Sequence, residues 1–231
     1  MNMRSTLLTA AAGAAMAFTS IANAGISFSF ADPVPGRQMS NVANGTEAGV
    51  GALSYDTNAN IVFYVDASDL GAGALSFNNA RMEMALTLGA AVTSGGVTLA
   101  PVTGSFTIYD MTGNVRTNIL TGSADSGTFV RITNTNSILF SDPDFTYTAG
   151  PALSSVLPQG TQFIPSTEAV FTLTDVQTVG GPGLTTAGGV FRSFAANASF
   201  TGNTETTIVP APGAMALAGL SGLLVARRRR A

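Results

Sequence analysis

Met82, Met84, Leu86 and Leu88 alternate with Arg81, Glu83, Ala85 and Thr87. A period of two sorts these residues onto opposite faces of an extended strand, whereas a helix would scatter both sets around its axis. Leu, Met and Ala favour helix on intrinsic preference. The strict alternation, followed by Gly89, decides for a strand. Ile26, Phe28 and Phe30 alternate with Ser27 and Ser29 in the same way across Gly25 to Asp32. Asn60 to Asp66 is apolar on both sides, with Ile61, Phe63 and Val65 pointing one way and Val62, Tyr64 and Asp66 the other. It reads as a central strand buried on both faces.

Further strands are expected at 50–55, 73–77, 97–100, 104–110, 117–121, 128–133, 137–140, 145–149, 161–164, 168–179 and 189–201. Turn residues separate them: Pro33 to Gly36, Asn44-Gly45, Ser94-Gly95-Gly96, Thr112-Gly113-Asn114, Asp142-Pro143-Asp144, Gly180 to Gly183 and Gly188-Gly189. Short strands at this spacing predict an all-β fold, an antiparallel sandwich or jelly roll over residues 25–201. Pro151 to Pro165 reads as a long connection, and 202–209 as a linker out of the domain.

Both ends carry targeting patterns. Residues 1–24 read as a secretory signal peptide with a helical core: Arg4 in a short n-region, the apolar stretch Leu7 to Phe18, and an Ala22-Asn23-Ala24 cleavage site before Gly25. At the other end, Ile208 to Ala226 carries no charge and is followed by Arg227, Arg228, Arg229 and Arg230. Pro210 and Pro212 restrict its helical part to Gly213 to Ala226, a short transmembrane helix at the lower edge of spanning length. Small residues alternate with Leu217, Leu220, Leu223 and Leu224, and the arginines hold the terminus in the cytoplasm.

The tail, residues 210–231, resembles the PEP-CTERM sorting domains of Gram-negative-type bacteria. Those combine a Pro-Glu-Pro motif, a short transmembrane helix and an Arg-rich end. Here the motif reads Val209-Pro210-Ala211-Pro212-Gly213, with Ala211 in place of the acidic residue. The resemblance implies a transient anchor in the inner membrane and cleavage by an exosortase-type protease. Delivery to the cell surface or an exopolysaccharide matrix would follow. Signal peptidase is the partner implied at the other end.

Between the two signals, five arginines face thirteen acids, a net charge of −8. Nucleic acid needs a basic footprint, so it is not an expected partner. Absent residue types exclude more. No Cys, His, Lys or Trp occurs. That removes disulfides, Ser-His-Asp and Cys-His catalysis, the usual zinc ligand sets and Schiff-base chemistry.

Carboxylate chemistry and hard cations survive. A glycosidase needs two carboxyl groups facing one bond, and Asp66, Glu83, Asp110, Asp144 and Glu168 are the groups to compare. Glu83 lies two residues from Arg81, which reads as a solvent-face charge pair; Glu168 reads as an edge charge, and Glu47 and Glu205 as loop residues. Calcium could use Asp66 and Asp69 at a strand end, or Asp142 and Asp144 around a turn, although none has EF-hand spacing. Turn capping by Asp explains the same positions. A carbohydrate-binding surface would need exposed rings, and Tyr55, Tyr64, Tyr109 and Tyr147 are the amphipathic ones. The sequence thus predicts a non-enzymatic exported surface or matrix protein without a cofactor. A carbohydrate-binding module or adhesin, calcium-assisted, stands second, and a carboxylate-dependent glycan enzyme third.

Overall fold

A computed structural model of the chain describes residues 24–31, 36–43, 51–132, 138–142, 145–178, 181–182, 186–187 and 189–209. The segments expected to be a signal peptide, save Ala24, and a sorting tail, from Pro210 onward, lie outside them, as do Glu47 and Asp144. Among the described residues no helix is long and apolar enough to cross a membrane.

The strands are β1 (Ala24–Ala31), β2 (Met39–Ala43), β3 (Gly51–Tyr55), β4 (Ile61–Ala67), β5 (Gly73–Leu88), β6 (Val92–Ser94), β7 (Val97–Asp110) and β8 (Thr117–Ile132). Then come β9 (Ile138–Asp142), β10 (Thr146–Ala149), a single helical turn α1 (Pro151–Ser154), β11 (Thr161–Thr178), β12 (Gly181–Pro182), β13 (Thr186–Ala187), β14 (Val190–Phe191) and β15 (Phe194–Ile208).

The all-β antiparallel class is as expected, but the layering differs. Two stacked sheets do not form. One main sheet closes on itself through the antiparallel pairs β15–β1, β1–β4, β4–β5, β5–β7, β7–β8, β8–β9, β9–β11 and β11–β15. The short β2 and β3 pair with each other, and extend the wall against one end of β15 and of β5 respectively. Closure removes most of the free edges a sandwich would leave.

Closure also explains a second correction. A barrel wall has one inner and one outer face, so no strand in it is buried on both sides. In β4, Ile61, Phe63 and Val65 are buried, while Tyr64 is 53% exposed and Asp66 faces solvent. The same alternation holds on β1 and β5, where Ile26, Phe28, Phe30, Met82, Met84, Leu86 and Leu88 point inward as predicted.

Several strands expected to be separate are continuous. Residues 97–100 and 104–110 are one strand, as are 117–121 and 128–132. Gly104 marks a bend rather than a break: its φ is 122°, and the β7–β8 register shifts between Val102 and Gly104. A glycine bulge lets a long strand curve with the wall. The stretch read as a linker is the final part of β15, hydrogen-bonded to β1 on one edge and β11 on the other. The connection after Pro151 is shorter than expected, because β11 already begins at Thr161.

Aromatic rings fill the interior. Phe106 of β7 meets Phe171 of β11 and Phe200 of β15, each with ring centroids 5.4 Å apart. Phe30 contacts the same two rings, and Phe28 packs on Phe63, Tyr147 and Phe163. Leu153 of α1 is fully buried. With no disulfide, this packed interior supplies the main stabilising term.

Candidate functional site

The Asp66 candidate lies where β4 ends. Its carboxylate accepts the Ser68 amide at 3.0 Å and the Ser68 hydroxyl at 2.5 Å. This is an Asx turn, formed because a short acceptor side chain can bond the backbone two residues ahead. It starts the 3-10 turn Ser68–Leu70, which closes at Gly71 in the left-handed conformation, φ 77°. Asp69 projects from that turn, and its Oδ2 accepts the Gly25 amide at 3.4 Å. The two carboxylates thereby share a cleft of about 220 Å³ with Gly25, Ile26, Ser27, Ser68 and Asn203. Hydrogen bonds from Ser68 hold the Asp66 carboxyl below its ordinary value of 3.8, outweighing a small opposing effect of burial.

Glu205 belongs beside this cleft. The sequence suggests a loop residue, but it lies on β15 directly opposite Gly25, and both face outward. The sequence hides this because the inward positions of the segment are Gly202, Thr204 and Thr206, with no apolar side chain to reveal the period. Thr206 is fully buried, and its hydroxyl donates to the Ala24 carbonyl at 2.8 Å.

The other candidates are dispersed. Asp142 ends β9 opposite Ala169, on another part of the wall from Asp66 and Asp69. Asp110 repeats the Asx turn, accepting the Thr112 amide and hydroxyl at 3.2 and 2.9 Å. Asp56 does the same for Asn58 at 2.9 Å. Glu83 pairs not with Arg81 but with Arg116 across the wall, at 2.8 Å, and the Arg116 guanidinium lies 4.1 Å from the Tyr109 ring centroid. Glu168 is not an edge charge, since β11 is laddered on both sides. Among the described residues no three His, Cys, Asp or Glu side chains converge as a metal ion would require.

The tyrosines do not form a platform. Tyr55, Tyr109 and Tyr147 are buried, and Tyr64 stands on the outer wall between Ser29 and Ser76. Hydroxyls pair across strands on that outer surface, at Ser40–Ser54 and Thr107–Thr121.

Compared with family models, with curated proteins and with solved structures, the chain finds no match in any of the three.

Proposed function

We propose that the chain is a non-enzymatic exported protein of the cell surface or extracellular matrix, carried as a barrel between two processing signals. One observation carries the reading: Ala24 pairs with Thr206. The chain therefore leaves the barrel toward its signal peptide and toward its sorting tail from neighbouring strands at one end. That geometry suits a cargo attached by both ends to one membrane during export. The barrel is complete at Val209, whose amide bonds the Gly160 carbonyl at 3.0 Å, just before the Pro210-Ala211-Pro212 motif. Cutting the tail would leave every described strand intact.

The hydroxyl-rich, acidic outer wall supports a role in a hydrated polysaccharide setting. A carbohydrate-binding role is the weaker reading, since the one exposed tyrosine among the described residues has no ring beside it. The proposal requires no cofactor, and Asp66 with Asp69 is where calcium would be sought.

Fractionation of cells expressing the full chain tests it. The protein is expected in the surface or medium fraction, and replacing Arg227–Arg230 with alanine should hold back or misroute it. Equal cytoplasmic retention of both chains contradicts the proposal. Co-sedimentation with exopolysaccharide, with and without calcium, separates a matrix resident from a glycan binder.

A further inference from the structure

We infer that the cleft at the end of β4 is a receptor for the protein's own mature amino terminus, the α-ammonium of Gly25, created by cleavage after Ala24. The inference rests on the export reading above and adds to it a role for Asp66, Asp69 and Glu205.

The Gly25 nitrogen already points at Asp69 Oδ2, 3.4 Å away. That is long for a hydrogen bond from a peptide amide. Hydrolysis of the Ala24–Gly25 bond consumes one water, leaves a carboxylate on the departing Ala24 and leaves an ammonium on Gly25. The ammonium has full charge and three donors, and charge-assisted bonds of this kind contract to about 2.7–2.9 Å. Asp66 lines the same cleft as Asp69, and Glu205 stands on β15 opposite Gly25 on the same outer face. Among the described residues no arginine lines the cleft.

The chain has no lysine, so this ammonium is the sole amine of the mature protein. Ala24 is also buried and laddered to β15. Cleavage removes that residue, and the new charge on Gly25 then holds the first residue of β1 in place.

The absence of lysine makes the test clean. The full chain is exported, the mature protein is purified, and pH-dependent acylation reads the pKa of its single amine. Ordinary α-amino groups titrate at about 7.7–8.0. The expected value is about one unit higher at low salt, falling back in Asp69→Asn, partly in Glu205→Gln, and not in Asp175→Asn, whose carboxylate pairs with Arg37 elsewhere. Because the folded value is raised, the stability gained is complete below the unfolded value and is lost as pH rises through the folded one. Intact mass on the same sample fixes the first residue. A chain beginning at Gly25 with an ordinary amine, or with one indifferent to Asp69→Asn and Glu205→Gln, overturns the inference alone. A chain beginning elsewhere overturns the export reading with it.

Discussion

The Tyr147 hydroxyl donates a 2.9 Å hydrogen bond to the Glu168 carbonyl. β10 takes its backbone ladder from β8, so this side-chain bond is what ties it to β11. The Tyr147 ring is also an inner-wall contact, touching Phe28 and Phe145. Tyr147→Phe should therefore lose one hydrogen bond and little packing, about 0.5–1.5 kcal/mol. Gly202 lies directly against the same hydroxyl, and a Cβ there would collide with it and sit 2.9 Å from Phe200. Gly202→Ala should cost about 1–3 kcal/mol by overpacking. In urea denaturation the double variant should lose less than the sum, because removing the hydroxyl opens the space the methyl needs.

Phe106 stacks on Phe145 and reaches Phe171 and Phe200 on the far wall. Phe106→Ala is expected to cost about 3–5 kcal/mol. Thr107→Ala, one residue along on the outer face, removes only a cross-strand hydroxyl pair and should cost under about 1 kcal/mol. Equal thermal shifts for the two would contradict the inside–outside assignment of β7.

Gly104→Ala probes how the wall bends. The φ of 122° is closed to side-chain-bearing residues, and a Cβ would strike the Ala85 carbonyl of β5. A loss of about 1–3 kcal/mol is expected from backbone strain alone, with collision adding to it. Circular dichroism melting checks this.

Asp66 predicts an acid-side dependence. Its folded pKa lies below 3.8 because Ser68 donates twice to the carboxylate. Stability from this turn is therefore complete above the unfolded value and lost as pH falls through the lower folded value. An NMR titration should find the Asp66 carboxyl below the ordinary range, and Ser68→Ala should move it upward.

Much of this was legible where apolar residues mark the period. Met82 to Leu88 and Ile26 to Phe30 give face and strand together, because burial and hydropathy coincide there. They diverge at Thr204 and Thr206, which turn inward and donate their hydroxyls to the Ile164 carbonyl of β11 and the Ala24 carbonyl of β1. An interior made of satisfied threonines carries no hydrophobic signal, so the end of β15 reads as a linker. Closure itself left no local mark: Val62 and Tyr64 look as apolar as a buried face, and only the ring of strand pairs places them outside. Pairing was hidden for the same reason. Glu83 finds Arg116 rather than Arg81 because contact across the wall depends on register, which a single sequence does not carry. The cleft was half visible. Asp66 and Asp69 announced a turn, while Gly25 and Glu205 joined them only through the β1–β15 ladder.

The central claim is that the barrel is a cargo freed at both ends. Intact-mass analysis of the protein recovered outside the inner membrane tests it most directly. A chain that begins at Gly25, lacks Arg227 to Arg230 and retains β15 through Ile208 is the predicted result. Recovery of a chain that still carries Met1 or the terminal arginines would contradict it.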